Sequence, residues 1–289
     1  MRILVLGGTG SIGSAVAAAL LRRGHDVAAL ARSEASARRL TAAGAEVLPG
    51  DIRAPGPWLH AVDRVDGVVH AATDFGSDMA ALDRGPMDAL LPRLSANARG
   101  QALLYTGGCW LYGATGDAVA TELSPFDPLP AFAWMVPAIR RVLAAPGVRG
   151  VLVHPAMVFE GVEGVFARFA DDARSMGRVR VVGDGRARWP LVHRRDLGDL
   201  YALALERSEP GESYNAAAAE GVPVTEIARA VARHFAVDEM PLPRDVDEAA
   251  ADLGEWARGY ALDQQMSGDK ARRELGWRPV WREPLADLA

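Results

Sequence analysis

Three glycines near the N-terminus, Gly7, Gly10 and Gly13, follow a short apolar run and precede an Ala/Leu-rich stretch. Residues 1–6 are typical of a buried parallel strand, and residues 11–23 are typical of a helix. Glycines permit a tight turn and a close ligand approach, while the helix N-terminus offers free N–H groups to a pyrophosphate. The G-x-x-G-x-x-G spacing therefore predicts a dinucleotide site. Its predicted contacts are Gly7, Thr9, Gly10, Ser11, Ile12 and Gly13.

The end of the second predicted strand indicates which dinucleotide binds. In such folds a carboxylate near this point usually holds the ribose hydroxyls of NAD. Residues 25–30 form the strand, and Arg32 follows it with no acid beside it. A guanidinium can bind a 2′-phosphate with two parallel hydrogen bonds, so we expect NADP(H). The alternative is that Arg32 only begins a solvated basic helix. Further cofactor contacts are expected at later strand ends: Asp51, Ile52, Ala71, Ala72 and Thr106.

Polar side chains near the expected cleft are candidates for acid–base chemistry. Tyr112 follows the fifth predicted strand and could donate a proton, or it could pack structurally. Asp74 follows the fourth strand and could act as an acid or base, or cap its loop. His193 is a third candidate, and its alternative role is to tie a C-terminal lobe to the sheet. His70 is expected to pack or hydrogen-bond near the cofactor.

Aromatic residues predict an apolar substrate pocket. Its predicted lining residues are Cys109, Trp110, Trp134, Phe159 and Trp189. Cys109 has no basic neighbour in sequence, so we expect a small buried side chain rather than a nucleophile. The six histidines and one cysteine lack metal-ligand spacing, and no G-x-S-x-G is present, so neither a metal site nor a hydrolase triad is expected.

Length and charge narrow the class of protein. The chain has 289 residues, 49% of them hydrophobic, and a formal net charge of −5. This length suits one nucleotide-binding domain plus a smaller lobe, and the mild acidity argues against nucleic acid. One cysteine cannot form an intrachain disulfide, which fits the cytoplasm. The N-terminus has the pattern of a core strand rather than a signal peptide, and no apolar run is long enough for a bilayer, so no membrane partner is expected.

Strand and helix patterns alternate up to about residue 153, which predicts a Rossmann-type, doubly wound parallel α/β sheet. We expect an NADP(H)-binding domain at residues 1–154 and a substrate-binding lobe at residues 155–289, over the carboxyl ends of the strands. In the second half, the patterns predict helices at 166–176, 196–207 and 224–235, a strand at 179–182, and loops at 210–222 and 240–247.

Together these segments resemble the extended or atypical short-chain dehydrogenase/reductase family, also called the NAD-dependent epimerase/dehydratase family. The resemblance covers nearly the whole chain and depends on the order of several motifs. They include residues 105–113 (YTGGCWLYG), 154–159 (HPAMVF), 182–185 (VGDG), 188–193 (RWPLVH) and 274–279 (ELGWRP). The resemblance implies a nicotinamide cofactor and a small-molecule substrate.

The chain departs from this family at the expected catalytic positions. The family's redox chemistry normally uses a Ser or Thr, a Tyr that transfers a proton, and a Lys four residues after that Tyr. The resemblance places Gly108, Trp134 and Ala138 at these positions. No tyrosine here is followed four residues later by lysine, and the single lysine is Lys270. Pro137 predicts that the helix after Trp134 begins late or is kinked.

Three functions follow as hypotheses. The first is a reductase or dehydrogenase that uses NADP(H) on a small, rather hydrophobic substrate without the usual Ser-Tyr-Lys residues. The second is a non-redox cyclase, isomerase or dehydratase with the nucleotide structural or absent, since orientation alone can lower a barrier. The third is a nucleotide-sensing binding protein. Family members often pair through two long helices, and prolines fall near them here, so monomer and homodimer both stay open.

Overall fold

A parallel sheet forms the centre of the chain, whose computed structural model describes residues 1–76, 78–97 and 99–288. Its first six strands are β1 (Arg2–Leu6), β2 (Asp26–Ala31), β3 (Glu46–Pro49), β4 (Gly67–His70), β5 (Ala102–Thr106) and β6 (Arg149–Pro155). They lie in the order β3-β2-β1-β4-β5-β6. Residues 3–6 of the central strand β1 are fully buried, because helices cover both faces of a parallel sheet. The Rossmann-type fold class is confirmed.

Helices α1 (Ser11–Arg22), α2 (Glu34–Ala42), α3 (Met79–Asn97) and α4 (Met135–Leu143) connect and flank these strands. Ser33 precedes α2 and its hydroxyl accepts a hydrogen bond from the Ser36 amide, which satisfies a free N–H group of the first turn. Pro137 lies in the first turn of α4, where its missing N–H removes no helical hydrogen bond. The proline is therefore compatible with a regular helix that begins at Met135.

The second half of the chain builds two smaller sheets and extends the first. Its strands are β7 (Met157–Glu160), β8 (Glu163–Gly164), β9 (Arg178–Val182), β10 (Arg188–His193), β11 (Ser213–Ala216), β12 (Ala219–Pro223) and β13 (Asp238–Arg244). Its helices are α5 (Ala167–Met176), α6 (Arg194–Arg207), α7 (Val224–His234) and α8 (Val246–Leu253). Strands β12, β10, β7 and β8 form one sheet, β9 and β13 form another, and β11 pairs in parallel with β6.

The loops predicted at 210–222 and 240–247 are wrong in part. They contain β11, most of β12 and most of β13. Each strand is short, and its partner is distant in sequence, so pairing rather than local composition decides its conformation. Two prolines also give β13 the composition of a loop, but it lies at the edge of a two-stranded sheet, where proline is tolerated.

Residues after 154 also pack closely on the first half of the chain. Strand β11 completes the central sheet, and α6 packs against α1. A Cβ at Gly198 of α6 would lie 2.5 Å from the Ala15 carbonyl oxygen, so the two helices approach closely at that glycine. The division at residues 154 and 155 stays a prediction. Of the helices in the described residues, none is both long and apolar enough to cross a membrane.

Candidate functional site

The glycine turn between β1 and α1 is closely packed on one side and open on the other. Gly7 has a φ of +88°, and a Cβ there would lie 2.7 Å from the Ala71 carbonyl oxygen. A Cβ at Gly13 would lie 2.1 Å from the Gly7 carbonyl oxygen. At Gly10 the same carbonyl is 3.3 Å away and no other atom lies within 4 Å. Gly7 and Gly13 therefore serve packing, while Gly10 leaves space at the start of α1.

A groove of about 460 Å³ lies beside this turn, at the carboxyl ends of the strands. The predicted cofactor residues that line it are Gly7, Thr9, Gly10, Arg32, Asp51, Ile52, Ala71 and Ala72. Ser11, Ile12 and Thr106 line cavities that continue from the groove, and Gly13 packs beneath the turn. The donor set fits a dinucleotide: open amide groups at a helix N-terminus suit a pyrophosphate, and an arginine at the end of β2 suits an anionic group.

The arginines at the groove differ in whether they have a partner within the chain. Arg53 donates to the Asp74 carboxylate at 3.0 Å, and its guanidinium lies 4.0 Å from the Asp51 carboxylate. Arg39 donates to the Thr9 carbonyl at 2.9 Å, so it braces the glycine turn. Arg32 is exposed and forms no ion pair with any residue that the structure describes. Its charge is therefore available to an anion in the groove.

An apolar cavity of about 340 Å³ adjoins the turn on its other side. Of the predicted pocket residues, Cys109 and Trp110 line it. Burial raises the pKa of the Cys109 thiol to about 12, so it is protonated at neutral pH and a poor nucleophile. The cavity also contains Phe75, Phe132, Trp256 and Tyr260.

The aromatic rings of this cavity come from distant segments of the chain. The Trp110 ring centroid lies 5.4 Å from that of Phe132 and 5.6 Å from that of Tyr260. Phe75, after β4, lies 4.8 Å from Trp256 on a 3-10 helix at Glu255–Ala261. We did not predict Phe75, Trp256 or Tyr260 as lining residues. The sequence does place Trp256 and Tyr260 about one helical turn apart, which predicts that they share a helix face. This spacing does not indicate which surface that face contacts.

A smaller cavity of about 160 Å³ lies between the groove and the apolar cavity. It shares Ala71, Ala72 and Thr73 with the groove, and Phe75, Phe132 and Met135 with the apolar cavity. Its other lining residues include His70, Asp83, Tyr105, Thr106 and Trp134. We call this space the junction cavity. The three spaces lie side by side over the ends of β1, β4 and β5, and we refer to them together as the cleft.

The three predicted catalytic residues are not brought together. Asp74 lines the groove. The Tyr112 hydroxyl is buried and donates to the Asn215 side-chain oxygen at 2.8 Å, and burial raises its pKa well above the usual range. His193 accepts from the Arg195 amide at the start of α6, and its ring stacks on Trp281 at 4.0 Å. Neither Tyr112 nor His193 is among the lining residues of the cleft.

Phe159 and Trp189, two predicted pocket residues, also lie outside the cleft lining. Phe159 is buried, with its ring 5.2 Å from Phe166. Trp189 stacks on Phe169 at 5.7 Å and lines a separate cavity near α5. Side chains alternate between the two faces of a strand, so an aromatic residue on β7 or β10 can equally well face the core of the lobe.

The single lysine is paired with residues other than those at the family's expected catalytic positions. Lys270 is paired with Glu212 at 2.5 Å, and its ammonium lies 5.0 Å from the Tyr214 ring centroid. Trp134, which the resemblance places at the tyrosine position, precedes α4 and donates its indole N–H to the Ala131 carbonyl. Across residues 1–76, 78–97 and 99–288, no group of three His, Cys, Asp or Glu side chains is arranged to hold a metal.

Comparison with known proteins supports the resemblance. The model of the NAD dependent epimerase/dehydratase family matches residues 3–217. An uncharacterised protein of Schizosaccharomyces pombe is 30% identical over 297 residues, covering 100% of this chain and 98% of that protein. A 4-hydroxy-2-methyl-3-oxo-4-farnesyl-3,4-dihydroquinoline-1-oxide ketoreductase of Stigmatella aurantiaca is 27% identical, covering 96% and 92% of the two chains.

Solved structures share the fold. A human epimerase family protein crystallised with NADPH superposes with a TM-score of 0.78 at 21% identity, covering 100% of this chain and 98% of that one. Other structures of this fold contain NAD. The match of the family model, over most of the chain, therefore agrees with the architecture and the glycine turn: the chain belongs to the NAD-dependent epimerase/dehydratase family.

Proposed function

We propose that this chain is a reductase or dehydrogenase that uses NADP(H) on a small, hydrophobic carbonyl compound, without the Ser-Tyr-Lys residues usual in its family. The observation that carries the proposal is that the three spaces of the cleft adjoin one another and share lining residues. The junction cavity shares lining residues both with a groove that has open amide groups and an unpaired arginine and with a space lined by aromatic rings. The resemblance to a ketoreductase also supports a redox reaction.

The residues present fit the cofactor. The amides at the start of α1 and the open face of Gly10 would hold the pyrophosphate, because a side chain at Gly10 would occupy that space. Arg32 would hold the 2′-phosphate, and Asp51 would meet the adenine edge. When bound, NADPH supplies a hydride for reduction of a carbonyl carbon. Asp74 lies at the rim of the groove, where its bond to Arg53 favours a supporting role over proton transfer.

The apolar cavity would bind and orient the substrate. A substrate bound against its aromatic walls would displace water, which would strengthen polar interactions inside the cleft. Trp110 and Cys109 line the wall that follows β5, and Phe132 closes the side facing α4. This lining favours a substrate with a flat or bulky hydrocarbon body over a polar sugar.

A non-redox reaction is the second candidate. The observation that favours it is the absence of any tyrosine followed four residues later by lysine. In that case the cleft would orient a substrate for isomerisation, dehydration or cyclisation, and the bound nucleotide would not be consumed.

Turnover of a defined probe separates the two candidates. With 2-acetonaphthone and NADPH, we expect loss of the reduced nicotinamide absorbance in step with formation of the secondary alcohol. A ketone that binds but yields no alcohol, with NADPH unconsumed, would instead leave the non-redox candidate. The reaction is repeated with NADPH deuterated at the transferring position, because hydride transfer from the cofactor places deuterium on the carbinol carbon. Deuterium in the product shows redox chemistry, and its absence contradicts the proposal.

A further inference from the structure

A buried polar cluster lies against the junction cavity. Strands β4 and β5 pair with His70 opposite Tyr105, and the two rings meet edge to face with centroids 5.5 Å apart. Helix α3 places the Asp83 carboxylate 3.0 Å from His70 Nε2. All three residues are at least nine-tenths buried, and all three line the cavity. They are the titratable side chains of its described lining.

Two polar atoms of this cluster have no hydrogen-bond partner in the described chain. These are the Tyr105 hydroxyl and His70 Nε2, although Nε2 lies 3.0 Å from the Asp83 carboxylate. An unpaired buried polar group costs about 1–3 kcal/mol, so native proteins rarely leave one without a partner. The junction cavity beside them shares Phe75, Phe132 and Met135 with the neighbouring apolar cavity. A ligand in the cleft can therefore supply the missing acceptor.

Tyr105 is the better donor of the two. The Ala72 amide donates to His70 Nδ1, which leaves the ring proton on Nε2, directed towards Asp83. Burial, and then the charge of Asp83 and its carboxylate as a nearby acceptor, raise the pKa of the Tyr105 hydroxyl far above its usual range, so it keeps its proton at neutral pH. A ligand oxygen therefore competes with the Asp83 carboxylate for this proton. The other hydroxyl of the cavity, on Thr106, already bonds the His70 carbonyl and the Tyr201 hydroxyl at 2.7 Å each.

We propose that Tyr105 donates the hydrogen bond that binds the substrate's oxygen, with Asp83 and His70 as positioning residues. The assignment rests on the proposed function, in which the apolar cavity takes a hydrophobic ketone or aldehyde. The ligand class is then an oxygen acceptor attached to a hydrocarbon body, with its oxygen in the junction cavity and its rings among Trp110, Phe132 and Trp256. A donor at this point also stabilises negative charge that develops on the oxygen during reduction.

Binding of a matched ligand pair tests the assignment without turnover. The probes are 2-acetonaphthone and 2-ethylnaphthalene, which have similar shapes and differ in the carbonyl oxygen. Equilibrium dialysis is carried out on the full chain, alone and with NADP⁺. The wild type is expected to bind the ketone about tenfold more tightly, as one buried hydrogen bond implies. Tyr105→Phe is expected to abolish this preference and leave the Kd of 2-ethylnaphthalene unchanged.

Tyr201→Phe is the matched control, because it removes another buried hydroxyl that does not line the cleft. It is expected to keep the preference. A Tyr105→Phe protein that still prefers the ketone tenfold overturns the assignment, and the unpartnered indoles of Trp110 and Trp256 then become the donors. If the wild type binds neither probe, the apolar substrate site of the proposed function fails instead, and the assignment fails with it.

A second variant tests the proposal in case the Tyr105→Phe protein does not fold. Asp83→Asn keeps the side-chain shape and removes the charge beside the tyrosine and histidine. It is expected to reduce the preference for the ketone at least threefold, with circular dichroism confirming the fold. An unchanged preference in a folded Asp83→Asn protein contradicts the positioning role.

Discussion

One arginine occupies the place where many NAD-binding folds have a carboxylate. Arg32 lies at the end of β2, lines the groove, and has no carboxylate partner in the described part of the chain. Arg38 has the same chemistry six residues later, but it pairs with Glu34 on the surface of α2 and does not line the groove. The two arginines therefore form a natural test and control.

Arg32→Ala is expected to weaken NADPH binding about 10- to 100-fold, because a charge-assisted bond to phosphate is lost. NADH binding should change less than about threefold, as NADH has no 2′-phosphate. Arg38→Ala should alter neither. Isothermal titration calorimetry with both nucleotides measures these affinities. Equal losses of NADPH and NADH affinity in Arg32→Ala would contradict the phosphate-binding role.

A buried histidine makes stability depend on pH. His154 is buried beside Tyr112 and Phe126, and burial lowers its pKa from 6.5 to about 4. Between these values the unfolded chain binds a proton that the folded chain excludes. Stability contributed by the neutral histidine is therefore present above pH 6.5 and is lost as the pH falls toward 4.

From pH 7 to pH 5 this residue alone is expected to remove about 2 kcal/mol from the free energy of unfolding. His154→Asn keeps an acceptor for the Gly108 amide and removes the titration. Urea unfolding at the two pH values should show a smaller pH effect in the variant by about that amount. Identical pH effects in the two proteins would show that His154 is not buried in its neutral form.

At the scale of elements, the glycines in the turn between β1 and α1 have two different roles. One permits close packing, and the other leaves space for a ligand. A Cβ at Gly13 meets backbone, while a Cβ at Gly10 projects into the groove. Gly10 has a φ of −75°, which alanine adopts without strain. The two glycines of one motif should therefore respond differently to the same substitution.

Gly13→Ala is expected to destabilise the fold by about 3 kcal/mol, as α1 must shift away from the turn. Gly10→Ala should leave the melting temperature within about 2 °C of the wild type but weaken NADPH at least tenfold. Thermal unfolding and calorimetric titration of both variants provide the measurement. A Gly10→Ala protein that binds NADPH normally would show that the dinucleotide does not approach this turn.

At the scale of the whole molecule, local sequence patterns predicted the strands of the first half of the chain but only part of the structure of the second half. Apolar runs and Gly7, Gly10 and Gly13 identified the strands and the groove, because parallel strands place their carboxyl ends at one edge. Cys109 and Trp110 follow β5, so the same rule located them. The groove residues were predictable for this reason.

The remaining walls of the cleft depend on packing between distant segments. Trp256 reaches the cleft from a helix near the C-terminus, and Phe75 meets it from the loop after β4. Strand β11 depends on β6, whose paired residues lie about sixty positions earlier. Tyr105 has the composition of an ordinary strand residue, and only its unpaired hydroxyl beside a cavity distinguishes it.

The central claim is that a dinucleotide groove and an apolar substrate site form one continuous cleft. Its most direct measurement is the Kd of 2-acetonaphthone with and without saturating NADP⁺, by equilibrium dialysis on the wild-type chain. Two ligands in contact along the junction cavity should be coupled, so NADP⁺ is expected to tighten ketone binding at least fivefold, and the ketone to tighten NADP⁺ equally. An identical ketone affinity with and without bound NADP⁺ would contradict the continuous cleft.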